Sequence, residues 1–266
     1  MVDFYHRVES AILAADPASK CRLTGELQLG WRAQGEVGDA DSEILPIDDP
    51  GRPLKPELVD PRQLPKRSFA SEEGRIHLLH AFAHIEFNAI NIALDAVYRF
   101  RRMPPRFISD WLLVATEEAR HFQLLETELQ RRGSHYGACQ AHRGLWDMVC
   151  KTRDDPLHRM ALVPRVMEAR GLDVTPTMIA KFKQFGDQAA VEIMEIIYRD
   201  EVGHVRIGNY WFTRLCQEQG LDAEVTFREL VDSYMGGKLR GPFNRAARLE
   251  AGFRRQELDA LEQGSR

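Results

Sequence analysis

Two short motifs in the sequence each pair a glutamate with a histidine three residues later: Glu118 with His121, and Glu201 with His204. In an α-helix, residues three apart lie on the same face, so each motif presents a carboxylate and an imidazole to one point in space. A single Glu-x-x-His is a weak signal, because such spacing arises often by chance. Two of them, each among apolar residues, favour metal ligation.

Each motif also has a lone glutamate upstream at nearly the same distance. Glu86 precedes Glu118 by 32 residues, and Glu168 precedes Glu201 by 33 residues. Each residue of an α-helix adds about 1.5 Å along the axis. If one helix runs about sixteen residues to a turn and a second, antiparallel helix runs about sixteen residues back, the two end residues lie side by side. The spacing therefore predicts two helical hairpins, each of which brings a lone glutamate level with a Glu-x-x-His motif.

Four carboxylates and two imidazoles at one level require cations, since a buried carboxylate without a partner costs several kcal/mol or becomes protonated. Two divalent metals would cancel the four negative charges. Mixed carboxylate and imidazole ligation suits iron or manganese and argues against a thiolate zinc site. By the usual geometry of such cages, Glu118 and Glu201 would bridge the metals. The predicted metal ligands are Glu86, Glu118, His121, Glu168, Glu201 and His204.

Several neighbours of these ligands are candidates for a supporting role. Glu117 and Asp200 directly precede the motif glutamates and could accept the second ring N–H of a ligating histidine. Arg120 could pair with one of these acids. Arg165, one turn before the lone glutamate of the second hairpin, could neutralise a carboxylate, hold an anionic substrate or extend to solvent. Tyr198 could belong to the site, although a packing role is favoured.

A second histidine cluster, His77, His80 and His84, precedes Glu86. About half a turn separates the direction of these histidines from that of Glu86, so packing or surface contact is the favoured interpretation.

The helices that must position the ligands are predicted from helix-breaking residues and from apolar residues that recur on one helix face. A first long helix is expected over 72–102, ended by Pro104-Pro105, and a second one ends near Arg132-Gly133. Residues 133–155 form a crossover with one short helix near its end. Asp155-Pro156 is a cap followed by a first-turn proline.

The helix that carries Glu168 is expected to be the least regular one. Pro164 removes a backbone hydrogen bond, and the stretch from Gly171 to Pro176 is expected to bend or interrupt the helix, leaving a kink or a separate short helix over 177–185. After a break at Gly186-Asp187, a last long helix is expected over 188–219.

The whole chain is thus predicted to be all-α and to form a single domain, 1–266. Residues 1–70 comprise an N-terminal helix over about 1–20 and a proline-rich arm over 35–65, residues 71–220 a metal-binding four-helix bundle, and residues 221–266 a cap of one or two short helices. The bundle consists of two antiparallel hairpins joined by a long crossover, which is the ferritin-like topology.

Composition excludes several classes of protein. The 36 basic and 40 acidic side chains are nearly balanced, so overall charge does not indicate a nucleic-acid partner or an anionic membrane, although the C-terminal region is locally basic. No apolar run approaches the length of a membrane span. The four cysteines lack C-x-x-C and zinc-ligand spacing, and the N-terminus lacks a signal peptide, which favours a cytoplasmic protein.

Over nearly its whole length the chain resembles a bacterial family within the ferritin-like superfamily that is catalogued as a domain of unknown function. The resemblance implies the fold and the six metal ligands but no reaction, because the wider superfamily includes tRNA hydroxylases, quinone-precursor hydroxylases, ferroxidases and manganese catalases. The segments that carry it are Leu64-Pro65-Lys-Arg, HAFAHIEFNAINIALDAVYRF from His80, EEARHF from Glu117, LVPRVMEARGLDVTP from Leu162, RDEVGHV from Arg199 and GPFN from Gly241.

The favoured function is that of a di-iron oxidoreductase, which would use O2 to oxidise or hydroxylate an unknown small organic substrate with electrons from an external donor. Manganese or a mixed iron–manganese pair could replace the two iron ions. The alternatives are a ferroxidase or iron-storage protein without an organic substrate, a manganese catalase, and a structural metal site.

Overall fold

The structure, a computed structural model, describes residues 3–34, 39–65, 68–237 and 239–264. Within these ranges the regular secondary structure is helical. No strand forms there, and Leu58 and Ala141 make an isolated bridge. The predicted all-α class is confirmed. The helices are α1 (Phe4–Leu13), α2 (Pro17–Gln34), α3 (Glu72–Arg99), α4 (Pro105–Arg131), α5 (Gly144–Lys151), α6 (Pro156–Leu162), α7 (Ala169–Gln184), α8 (Gln188–Glu218), α9 (Ala223–Met235), α10 (Arg245–Glu250) and α11 (Arg255–Gly264).

The chain divides into two compact units, Met1–Asp147 and Met148–Arg266, and the division falls within α5. The single domain expected from the sequence stays a prediction. Among the described helices, none combines the length and apolar character that crossing a bilayer requires.

In the first unit, α3 and α4 pack against each other as the first predicted hairpin. The Ser71 hydroxyl caps α3 by accepting the N–H of Gly74 at 3.1 Å, and Glu72 and Glu73 lie in the first turn, where acids suit the helix dipole. Pro105 occupies the first turn of α4, so the two prolines of the connection end one helix and begin the next.

The N-terminal segment differs from the expectation of one helix over about 1–20. Helix α1 ends at Leu13, and α2 then begins at Pro17 and packs against α4. Asp16 stabilises this new start because its carboxylate accepts the N–H of Ser19 at 2.8 Å. The expected arm is without regular helix over 39–65 apart from a short turn at Pro61–Gln63, and 35–38 lies outside the described residues.

In the second unit, α6, a π-helical turn (Val163–Glu168) and α7 follow one another without a gap and pack against α8. The expected irregularity at Pro164 is therefore present. Of the two expected outcomes for Gly171 to Pro176, an interruption with a separate short helix over 177–185 is wrong, since α7 passes through both residues, and a bend stays a prediction. Pro176 cannot donate a hydrogen bond to the carbonyl of Leu172, and the side-chain amide of Asn244 donates to that carbonyl instead, at 3.1 Å.

The C-terminal residues of the second unit pack on α7 and α8 through an apolar cluster. Three short helices, α9 to α11, are observed where one or two were expected. Arg248 lies in this region and forms a buried bidentate pair with Asp173 of α7, with N···O distances of 2.9 and 2.8 Å. The buried members of the cluster are Ala169, Leu172, Val202, Val205, Ala247, Ala251, Phe253 and Leu258.

Candidate metal centre

The first unit brings together three of the six predicted ligands. Glu86 lies in the middle of α3, and Glu118 and His121 lie one turn apart on α4. Nδ1 of His121 is 3.3 Å from Oε2 of Glu86 and 3.4 Å from Oε2 of Glu118. Each side chain offers one ligand atom, and these atoms lie within 4.8 Å of one another. All three residues are buried, with 2% exposure for Glu86 and none for the other two.

Burial and mutual repulsion make this group of charges costly in the absence of a cation. Burial raises the pKa of Glu86 well above its usual value, and the neighbouring carboxylate of Glu118 raises it further. Burial lowers the pKa of His121, but hydrogen bonds to Glu118 and Glu86 outweigh burial and raise the pKa to about 11. Protons thus supply the positive charge that a metal ion would supply. Converging buried carboxylate and imidazole donors fit a transition metal such as iron or manganese.

Aromatic side chains and two histidines form a cluster in the same unit, mostly on the helices that carry this group. The Nε2 of His84 donates to the carbonyl of His142 at 2.8 Å, which leaves Nδ1 to accept the hydroxyl of Tyr136 at 3.0 Å. His80 accepts the N–H of Gly137 at 2.9 Å and stacks on Tyr136. The predicted packing role of His80 and His84 is therefore confirmed. The ring of Tyr136 also contacts Phe87 and Phe122, which follow Glu86 and His121 directly in sequence.

The second unit holds the other three predicted ligands. Glu201 and His204 lie one turn apart on α8, with 3.8 Å between Oε1 of Glu201 and Nδ1 of His204. His204 is fully buried and Glu201 is largely buried. Glu168 is the last residue of the π-helical turn and is half-buried. The Glu-x-x-His motif therefore adopts the expected helical register in this unit as well.

The candidates beside the motifs have different surroundings. Glu117 and Asp200 are half-buried, and Arg120 is exposed. Asp200 pairs with the adjacent Arg199 at 3.0 Å, a neighbour that the sequence reasoning did not consider. Their role toward the histidines stays a prediction.

Arg165 is 3% exposed and does not extend to solvent. Its guanidinium forms an ion pair with Glu257 of α11. The rings of Phe212, Phe227 and Phe253 surround it at 4.4, 4.3 and 4.9 Å from the guanidinium carbon. Burial lowers the pKa of Arg165 to about 9. Of the alternatives left open by the sequence, neutralisation of a carboxylate is the one observed, although the partner comes from the C-terminal region.

Tyr198 lies against the C-terminal apolar cluster, and its hydroxyl accepts the side-chain amide of Asn244 at 3.1 Å. The favoured packing role of Tyr198 is consistent with this position. Asn244 and Glu257 were both missed as supporting residues. The segment GPFN, noted only for its resemblance, contains Asn244, whereas nothing in the local sequence distinguishes Glu257 from other acids of α11.

Comparison with known proteins places the chain in a family. Residues 13–259 match the family described as "Protein of unknown function (DUF455)". The chain belongs to this family. A relative of the DUF455 chain from Haemophilus influenzae, described as "Uncharacterized protein", is 47% identical over 269 residues, which cover 97% of this chain and 93% of the relative. No solved structure matches the chain.

Proposed function

We propose that this DUF455 protein holds two iron ions and acts as an O2-dependent oxidase or hydroxylase of a small organic substrate. The observation that carries the proposal is the convergence of Glu86, Glu118 and His121 in a buried position. We propose that Glu201, His204 and Glu168 complete the ligand set. The helices that carry these residues would then form a ferritin-like four-helix bundle, as the repeated spacing predicts.

The residues of the first unit would perform three tasks. The carboxylates of Glu86 and Glu118 would neutralise the metal charge, and His121 would release its ring proton as a metal ion binds. Phe87 and Phe122 would keep water from that side of the centre, as their position directly beside the ligands in sequence suggests. When reduced, an iron pair would supply the electrons that activate dioxygen, which no side chain of the protein can do.

A metal-binding measurement tests the centre itself. We expect purified protein loaded anaerobically with Fe(II) to hold about two ions per chain, and Glu118→Gln to lose them, because an amide cannot supply the charge of a carboxylate. Glu73→Gln is the matched control, since this glutamate is exposed in the first turn of α3. Full retention of iron by Glu118→Gln, or loss by Glu73→Gln as well, would contradict the assignment.

Oxygen consumption separates the enzyme from its alternatives. An oxidase or hydroxylase consumes O2 in a substrate-dependent way and requires an external reductant, whereas a ferroxidase turns over Fe(II) and accumulates ferric product without a substrate. A manganese catalase would instead decompose hydrogen peroxide after loading with Mn(II). The buried donor set is shared by all three, so the choice rests on these reactions.

A further inference from the structure

Gly208 of α8 and Pro164 of the π-helical turn are in contact at a distance that only glycine permits. A Cβ atom at Gly208 would lie 2.2 Å from Cβ and 2.4 Å from Cγ of Pro164, whereas real Cβ atoms essentially never approach another heavy atom closer than 3.0 Å. The pyrrolidine ring cannot rotate away as a flexible side chain could. Any side chain at position 208 would therefore push the π-helical turn and α8 apart.

This contact lies on the ligand-bearing face of both elements. Gly208 follows His204 by four residues and Glu201 by seven, a spacing that keeps all three on one face of α8. Pro164 precedes Glu168 by four residues in the turn. The contact thus lies about one helical turn from His204 on α8 and from Glu168 in the π-helical turn.

The π-helical turn also determines the direction of Glu168. The N–H of Ala169 donates to the carbonyl of Pro164, five residues back, so the turn contains one residue more than an α-helical turn. One extra residue corresponds to about 100° of rotation around a helix axis. If the same residues formed a regular α-helix instead, the side chain of Glu168 would point in a different direction from the helix axis. Arg165, paired with Glu257, anchors the turn to α11.

Resting on the proposed function, we infer that Gly208 and Pro164 are positioning residues that set the separation and direction of Glu168 relative to Glu201 and His204. The steric contact determines how closely the π-helical turn approaches α8. The residues carry no ligand atom themselves. Their substitution should therefore weaken the binding of one metal ion while the fold persists.

Mn(II) titration followed by electron paramagnetic resonance tests this inference with a readout other than activity. We expect wild-type protein to bind about two Mn(II) ions per chain and Gly208→Ala to bind one of them, the ion that Glu168 and His204 would hold, at least about tenfold more weakly. Gly203→Ala is the matched control, because this residue lies on the same helix next to His204 and a Cβ there meets nothing within 4 Å. The control should bind both ions as wild type does.

A second substitution distinguishes positioning from general damage to the fold. Pro164→Gly removes both atoms that would clash with a Cβ at 208, so adding it to Gly208→Ala should recover part of the lost Mn(II) affinity. If Gly208→Ala does not fold, Pro164→Ala provides the test, because it removes most of the ring without creating a clash. Pro164→Ala should also weaken the binding of one Mn(II) ion. Wild-type affinity in Gly208→Ala or Pro164→Ala, or no recovery in the double variant, would overturn the inference. A wild-type chain that binds no Mn(II) or Fe(II) would instead contradict the proposed function.

Discussion

At the scale of single residues, the chain tolerates several charges in positions that are closed to water. Glu86 and Glu118 reduce the cost by lying within hydrogen-bond distance of the imidazole of His121, and Lys20 reduces it by donating to three neutral acceptors. The two arrangements respond to pH in different ways, because the first holds extra protons and the second loses its proton easily.

Metal binding should become tighter as the pH rises. Burial raises the pKa of Glu86, and hydrogen bonds to Glu118 and Glu86 raise the pKa of His121 to about 11, so His121 holds its proton near neutral pH in the metal-free protein and a cation must displace that proton. Affinity should increase about tenfold per pH unit for each proton released. Mn(II) titrations at about pH 6, 7 and 8 measure this, and a pH-independent affinity would contradict the assigned ligands.

Lys20 should make the unfolding free energy depend on pH. Burial lowers the pKa of its ammonium from 10.5 to about 7, so between these values the unfolded chain binds more protons than the folded one. Stability from this group therefore increases with pH across that window, with a slope of at most about 1.4 kcal/mol per pH unit.

Urea unfolding of the metal-free protein at several pH values would measure the contribution of Lys20. Lys20→Met should lack this rise relative to wild type, whereas Lys183→Met, at an exposed position of α7, should keep it. Parallel pH profiles for Lys20→Met and wild type would show that Lys20 keeps its ordinary titration.

At the scale of helices, the predictable features are those that depend on neighbouring residues in sequence. Pro104-Pro105 ends one helix and starts the next, so the first hairpin follows from local chemistry. Helix α2 is not predicted by its local sequence, because a proline such as Pro17 more often ends a helix than continues one and because Gly25 and Gly30 lower the helix propensity of the segment. Its position depends on packing against α4 and on Lys20, contacts that a local pattern does not contain.

Helix α7 illustrates how a distant residue overrides a local signal. Gly171 and Pro176 predict a bend or an interruption, but α7 continues through them, and Asn244, far along the chain, satisfies the carbonyl that Pro176 leaves without its helical donor. The convergence of Glu86 with Glu118 and His121 was predictable since it follows from helix period and hairpin length. The pairing of Arg165 with Glu257 was not, because it joins two elements that are far apart in sequence.

The Arg165–Glu257 pair should be strongly coupled. Arg165→Met would leave the carboxylate of Glu257 buried near aromatic rings, and loss of one partner of a buried pair costs about 3–5 kcal/mol. Removing both partners, as in Arg165→Met with Glu257→Leu, should cost clearly less than the sum of the single changes.

Urea unfolding of the two single variants and the double variant gives this coupling. The exposed pair Arg245–Asp259 is the control, because Arg245→Met should leave the unfolding midpoint nearly unchanged. Additive losses at Arg165 and Glu257 would mean that the two side chains act independently.

At the scale of the whole molecule, metal binding should increase the free energy of unfolding of the protein. An ion that binds only the folded chain stabilises it by about 4 kcal/mol when present at a thousand times its dissociation constant. Anaerobic Fe(II) or Mn(II) should therefore raise the melting temperature, and a chelator should reverse the increase. Glu118→Gln should melt at the same temperature with and without metal, and a metal-dependent shift in this variant would indicate binding elsewhere.

The hydrogen bond from Asn244 to Leu172 also bears on the order in which the protein can mature during synthesis. Asn244, Arg248 and Glu257 all come from the last part of the chain, yet they complete the hydrogen bonds and ion pairs of α7 and of the turn that ends at Glu168. The ribosome releases these residues after α7 and α8, whereas the hairpin of α3 and α4 precedes all of them and can form before them. Helix α7 and the turn that ends at Glu168 can therefore acquire this full set of hydrogen bonds and ion pairs only after Glu257 has left the ribosome.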